Sequence, residues 1–293
     1  MRVAVTGGSG FVGIHTVRAL KNAGHEVVVI ARGTVRQPKG ERVTFVRADL
    51  TSAPALASTF AGCDAVIHLV AVIRERRRQT YDRVNREGTE RVAEAAKQAG
   101  VGHLLYQGAL GADPDPRFPY LLSKWEAEQA VRASGVPYTA FRPGLIFGPG
   151  DGFFTLLARM MRILPVISIA GDGRALFQPI SVADVTRSVV LAIERGPSHQ
   201  VHELGGPDQM TYEEIVRTIK ATLGLHRKII HVPVPMMLPL AFMMEKALRN
   251  PPVTRDQLHM LARNNVTRVD SVRVAFGFDA MSFADNCDYL QDY

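Results

Sequence analysis

The chain has 293 residues, 46% hydrophobic and 22% charged, with a mean hydropathy of +0.02. This is the composition of a globular protein and excludes a disordered or collagen-like chain; at this length about three quarters of the unfolded surface is buried on folding, enough for one large domain or two modest ones. Thirty-five Lys and Arg against 28 Asp and Glu leave a net charge of +7, which suits phosphate-bearing ligands or an acidic surface without specifying either.

In chain order, Val3 to Thr6 reads as a strand and Val12 to Ala23 as a helix. Strands at Glu26 to Ile30 and Val43 to Arg47, a helix at Ala53 to Phe60 and a strand at Ala65 to Val70 follow. The helix Asn85 to Ala99, the strand His103 to Tyr106, the helix Tyr120 to Ser134 and the strand Tyr138 to Phe141 complete the first half. The strands are short, apolar and rich in Val, Ile or aromatic residues, and Gly24, Gly100 and Gly135 stand where helices end. Alternation of this kind predicts an α/β fold, a doubly wound parallel sheet covered on both faces. After Gly150 helices dominate and strands become scarce. Thr211-x-x-Glu214 and Thr254-x-x-Gln257 are capping boxes that open helices at Tyr212 to Leu223 and Arg255 to Arg263. The expected organisation is a first domain over residues 1–150 with 178–200, to which a helix near Val182 to Glu194 returns. A smaller, mostly helical lobe spans 151–177 with 201–293.

Cys63 and Cys287 are too few for a disulfide framework or a cysteine zinc site, and the nine histidines show no metal spacing, so no metal is expected. With the glycine turn starting at Thr6-Gly7, no signal peptide is expected. The longest apolar run, Val232 to Met244, is short and broken by prolines. A soluble, cytoplasmic protein is the expectation.

Thr6-Gly7-Gly8-Ser9-Gly10-Phe11-Val12-Gly13 runs from a strand into a helix. Glycines here let the turn be tight and let backbone N–H groups approach a pyrophosphate seated on the positive end of the helix. The spacing Thr-Gly-x-x-Gly-x-x-Gly resembles the short-chain dehydrogenase/reductase superfamily in its extended and atypical branches. Further segments extend the likeness: Asp49-Leu50 after the third strand, His68-Leu69-Val70-Ala71 after the fourth, Asn85-x-x-Gly88-Thr89, Tyr120-x-x-x-Lys124 and Arg142-Pro143-Gly144. The stretches around Gly108 to Asp113, Gln178 to Asp184 and Leu204 to Tyr212 are similar to the subgroup of the NADPH-binding accessory subunit of respiratory complex I. The resemblance implies a Rossmann domain whose cofactor contacts are Gly7, Ser9, Gly10, Phe11, Val12, Gly13, Arg32, Asp49, Leu50, Leu69, Val70, Ala71, Gln107, Gly108, Tyr120, Lys124, Pro143 and Gly144.

An NAD-preferring fold usually ends its second strand in an acid that takes the ribose hydroxyls and repels a 2′-phosphate. Here the strand ends Ile30-Ala31-Arg32-Gly33. A missing acid and a guanidinium in its place favour NADP(H) over NAD(H), with Arg36 and Lys39 as possible assistants. Tyr120 and Lys124 lie four apart on a helix and share a face. In the superfamily such a Tyr is the general acid/base, and the ammonium beside it draws the phenol pKa down. The family also places a Ser or Thr at the end of the fifth strand to polarise the substrate oxygen. Gly108 stands there, and Gln107 or the Gly108 N–H are the candidate substitutes.

Arg74, Arg76, Arg77 and Arg78 form either a solvated basic loop or a grip for phosphate. Arg174 falls where extended relatives bind a nucleotide-sugar phosphate, but no uridine-binding pattern accompanies it. Met236, Met237, Met243 and Met244 can pack between lobes, line an apolar pocket or touch a membrane surface. The leading reading is an oxidoreductase acting on a small carbonyl or hydroxyl substrate, for which an apolar compound is one option. The alternatives are a non-catalytic NADPH-binding accessory protein with a protein partner, and a nucleotide-sugar epimerase or dehydratase. Nucleic-acid binding ranks last, for want of a recognition signature.

Overall fold

The apolar runs of the first half pair side by side. A computed structural model of the protein describes residues 1–33, 42–76, 79–248 and 251–293; Arg36, Lys39, Arg77 and Arg78, named above, lie outside the described residues. The chain runs β1 (Arg2–Thr6), α1 (Phe11–Asn22), β2 (Glu26–Ala31), β3 (Val43–Arg47), α2 (Ala53–Phe60), β4 (Ala65–His68), a π-helical turn (Asp82–Arg86), α3 (Glu87–Gln98), β5 (His103–Gln107), α4 (Pro119–Ala133) and β6 (Tyr138–Pro143). It continues through β7 (Ile146–Phe147), α5 (Phe154–Ile163), β8 (Val166–Ala170), β9 (Leu176–Phe177), β10 (Ile180–Ser181), α6 (Val182–Arg195) and β11 (Val201–Leu204). The remainder is β12 (Met210–Thr211), α7 (Tyr212–Thr222), β13 (Lys228–Val232), α8 (Val234–Ala247), α9 (Arg255–Met260) and α10 (Ser271–Phe276), ending in a 3₁₀ turn (Asp288–Asp292).

Two units emerge, Met1–Pro143 with Val182–Glu203, and Gly144–Ser181 with Leu204–Tyr293. The first holds a seven-stranded parallel sheet in the order β11-β6-β5-β4-β1-β2-β3. Alternate residues explain why its strands are apolar throughout. Ala4, Val28, Val66, Leu104 and Tyr106 face a core shared with α2, α3 and α4, while their neighbours Val5, Val29, Ile67 and Leu105 are equally buried on the other face. There α1 and α6 pack on one another. The strand order reverses between β1 and β4, and in such sheets ligands bind in the crevice outside the carboxyl ends at that reversal. Register sets Thr6 beside both Ile30 and His68, and His68 beside Tyr106.

A buried ion pair fixes α4 to this sheet. Arg142 of β6 donates from Nε to Glu128 Oε2 at 2.7 Å and from Nη2 to Oε1 at 2.9 Å, and Glu128 is fully buried. Breaking such a pair by removing one partner typically costs about 3–5 kcal/mol, because the remaining charge stays desolvated. The bidentate geometry therefore holds the helix that carries Tyr120 and Lys124.

The second unit has its own core, where the Phe154 and Phe283 rings lie 4.7 Å apart and Phe147 joins them. Both expected capping boxes form, at Thr211 with Glu214 and at Thr254 with Gln257. The parallel pair of β8 with β13 has no counterpart among the expected strands. Each has only five residues, and β13 is interrupted by Lys228 and His231, too short a pattern for periodicity to separate strand from helix. The helix expected from Asn85 instead begins as the π turn, and the one expected to reach Arg263 stops at Met260. No helix among the described residues is long and apolar enough to cross a membrane.

Candidate functional site

The turn after β1 is built for contact without side chains. Gly7 adopts φ +76°, and its N–H donates to Ile30 O at 3.2 Å. A Cβ there would lie 3.0 Å from Val70 N and 3.1 Å from the carbonyl carbon of Leu69. A Cβ on Gly13 would stand 2.1 Å from Gly7 O, so only glycine lets α1 start this close to the turn. Gly10 N donates to Gly7 O at 2.9 Å, and Gly10 caps α1 without a side-chain bond. The first turn of α1 carries no acid. Its N–H groups and positive end are thereby left for an external anion.

Beyond the turn, β2 ends at Ala31, and the exposed Arg32 follows with its carbonyl accepting from Arg47 Nε at 3.2 Å. Asp49 accepts from Thr51 N at 2.9 Å and from the Thr51 hydroxyl. These bonds, aided by the charges of Arg32 and Arg83, hold its carboxyl below the usual carboxylate range. Leu50 packs against Gly88, where a Cβ would meet Leu50 Cδ1 at 3.1 Å.

At the end of β4 a chain of buried polar groups begins. Thr6 Oγ1 lies 2.6 Å from His68 Nδ1, and His68 Nε2 lies 3.0 Å from Thr89 Oγ1. The Thr89 hydroxyl donates to Asn85 O at 2.5 Å, so it accepts from His68, whose proton sits on Nε2 while Nδ1 accepts from Thr6. Burial, with the charge of Lys124 adding to it, pushes His68 down to about 3. It is a neutral structural imidazole. Asn85 Oδ1 accepts from Val72 N at 2.8 Å, and Asn85 Nδ2 donates to Val72 O at 3.1 Å and to Ser123 Oγ at 3.0 Å. Ser123 in turn donates to Tyr120 O at 2.7 Å. The loop after β4 is thus joined to the first turn of α4. Asn85 lies in the π turn, a distortion often found at functional sites.

Lys124 is 2% exposed, donates from Nζ to Gln107 O at 2.6 Å, and lies 4.7 Å over the Tyr106 ring. Burial lowers it to about 7, against the opposing charge of Glu128. Tyr120 packs edge-on against Tyr81 at 5.8 Å, and burial pushes its phenol up to about 12. The expected lowering of the Tyr120 pKa is therefore corrected. The Lys124 amine is engaged by a carbonyl and is itself held near neutrality, so burial governs the phenol. The Gly108 N–H is likewise ruled out as a free donor, since it donates to Phe141 O at 2.6 Å. Gln107 Oε1 is buried with no hydrogen-bond partner.

The fold brings the glycine turn to Leu69 and Val70, and Lys124 to Gln107. Leu110 N donates to Pro143 O at 2.9 Å at the end of β6. Pro143 closes the first unit and Gly144 opens the second. Burial lowers the Arg74 pKa, with the charge of Arg76 contributing, while Arg174, in the second unit, is exposed. Ser123, Tyr81 and Thr6 were not among the expected site residues. Their partners lie far away in the chain, Ser123 38 residues from Asn85 and Thr6 62 residues from His68, so spacing offers no signal for them.

A model of the family described as "NAD dependent epimerase/dehydratase family" matches residues 3–205. The chain is 34% identical over 244 residues to a ceramide reductase of Caulobacter vibrioides, covering 80% of this chain and 75% of that one. It is 26% identical over 282 residues to the mitochondrial NADH dehydrogenase [ubiquinone] 1 alpha subcomplex subunit 9 of Arabidopsis thaliana, covering 92% and 70%. Among solved structures, MoeE5 in complex with UDP-glucuronic acid and NAD superposes with a TM-score of 0.76 at 26% identity, covering 98% of this chain and 96% of that one. The chain belongs to the NAD dependent epimerase/dehydratase family.

Proposed function

We propose that the protein is an NADP(H)-dependent oxidoreductase that reduces a carbonyl substrate, with Tyr120 as proton donor and Lys124 as its supporting amine. The observation that carries this reading is the Lys124 Nζ bond to Gln107 O, one helical turn from Tyr120, at the carboxyl end of β5. The uncapped start of α1 and the glycine positions that exclude a Cβ suit a dinucleotide. Gly7, Ser9, Gly10, Phe11, Val12 and Gly13 would hold its pyrophosphate, and Arg32 its ribose phosphate. Asp49 and Leu50 would flank the adenine, and Leu69, Val70, Ala71, Gln107, Gly108, Pro143 and Gly144 would line the remainder. The bound nicotinamide supplies the hydride. Tyr120 keeps its proton on Oη through neutral pH, which suits donation to the oxygen of a carbonyl being reduced. Similarity to a ceramide reductase supports a lipid-like carbonyl compound as substrate.

Arg32→Ala should weaken NADPH binding by about tenfold and leave NADH binding unchanged, because only the former loses a charge-assisted partner. Calorimetric titration with both coenzymes checks this, and equal losses would remove Arg32 from selectivity. Tyr120→Phe should lower kcat with NADPH by roughly 10²–10⁴-fold while NADPH affinity stays within about twofold. Full turnover in that variant would dismiss the phenol as donor.

Lys124 also makes a pH prediction. The folded protein releases its proton near pH 7, whereas the unfolded chain holds it to about 10.4. Between these values the unfolded state binds more protons, so this group makes stability rise with pH. The Tm of the wild type relative to Lys124→Met should accordingly increase from pH 6 to pH 9. A constant difference would show that the amine is not perturbed.

One observation favours a second reading, a non-catalytic NADPH-binding accessory protein, and the similarity to subunits of NADH-ubiquinone oxidoreductase supports a protein partner. Gly108 offers no side-chain donor, and its N–H is taken. A Ser Cβ at that position would lie 3.1 Å from Phe141 O, a contact relieved by a few tenths of an ångström. If the missing donor limits the chemistry, Gly108→Ser should raise NADPH oxidation on a carbonyl panel by roughly 10–10³-fold. An unchanged rate would mean that the site lacks more than a hydroxyl.

A further inference from the structure

The helix α8 is apolar on two opposite faces, and only one of them is used within its unit. Val234, Met237, Leu238 and Ala241 pack into a small core with Ala170 and Leu258. On the other side Met236, Leu240 and Met243, at i, i+4 and i+7, are 69%, 52% and 61% exposed. This spacing aligns them in a single stripe along the helix. Phe242 and Leu248 are exposed beside it. Fully apolar helices are normally buried, and a contiguous exposed apolar stripe of this kind marks an interaction surface.

The charge of this part of the chain selects the stripe's occupant. Residues 226–263 carry in sequence six Lys or Arg against Glu245 and Asp256, a net +4 of the chain's +7. Glu245 is further occupied by Arg255 at 2.9 Å. Lys246 and Arg255 both sit over the exposed Phe242 ring, at 4.6 and 4.9 Å from its centre. Both charged heads thus lie on an exposed ring next to the stripe, the pairing of cations with apolar side chains found on a helix lying in a lipid interface. A second copy docked on the same face would set these like charges against each other. We infer that the α8 face of the second unit is a docking surface for an anionic lipid bilayer, lying flat on it with Met236, Leu240 and Met243 inserted. This goes beyond the reading of the nucleotide site and does not depend on it.

The test is co-sedimentation of the full chain with vesicles of phosphatidylcholine containing about one quarter phosphatidylglycerol, alongside vesicles of phosphatidylcholine alone, at low and high salt. The variant Met236→Glu with Leu240→Glu and Met243→Glu tests the stripe. Its Tm should match the wild type closely, since the three side chains are exposed and pack little. Expected is binding to the anionic vesicles, weakened by salt and reduced at least about tenfold in the variant, because the inserting side chains are charged. The inference is overturned by absence of binding, by equal binding to neutral vesicles, or by binding that the folded variant retains. A dimer in light scattering that the Glu substitutions dissociate would likewise overturn it, assigning the stripe to a second copy.

Discussion

The site rests on one constraint, the approach of backbone to backbone where β1 and β4 leave the sheet. Gly7 touches the exit of β4 with no room for a methyl group, and Gly13 lets the first turn of α1 close on the Gly7 carbonyl. A methyl group on either residue would push α1 or the β4 loop outward. The crevice at the strand-order reversal would then lose the uncapped N–H groups aimed into it. The sheet supplies the rest of the support, because Val3 to Val5 and Ala65 to Ile67 are wholly buried and leave the two exits no freedom to drift.

A second layer of order extends from this point to Tyr120. Thr6, His68, Thr89, Asn85 and Ser123 form an unbroken series of hydrogen bonds ending on the Tyr120 carbonyl. Each member satisfies its neighbour, which is the condition under which buried polar groups are tolerated and rigidify their surroundings. The Arg142–Glu128 pair restrains α4 two turns further along. Between these anchors Lys124 is held against Gln107 O, and the Tyr120 ring packs on Tyr81.

The layout of the first unit is legible in the sequence because its signals are local. Strand runs bounded by Gly or Pro, glycines at helix ends and the strand–turn–helix setting of Gly7 to Gly13 each depend on a few adjacent residues. The capping boxes at Thr211 and Thr254 are legible for the same reason. What escapes is set by distance in the chain. Ser123 meets Asn85 across 38 residues, and no spacing rule links them. The π turn cannot be told from the start of an ordinary helix by composition. The acidity of Tyr120 escapes for a related reason, since i, i+4 spacing establishes that Lys124 shares its face but not that a carbonyl of β5 engages the amine.

That last point bears on the direction of the proposed chemistry. A phenol drawn down toward neutrality serves as acid or base with equal ease, whereas one held near 12 is protonated and favours donation. Gly108 acts in the same sense. With its N–H bonded to Phe141 O and no side chain of its own, Gly108 leaves the proposed proton donation to Tyr120. In reduction the negative charge building on that oxygen raises its basicity and pulls the phenolic proton across. Oxidation by the same route would need a deprotonated phenol, the form that the raised pKa disfavours. In the proposed reduction, a protonated Tyr120 and the missing side chain at Gly108 together place the proton transfer on the phenol.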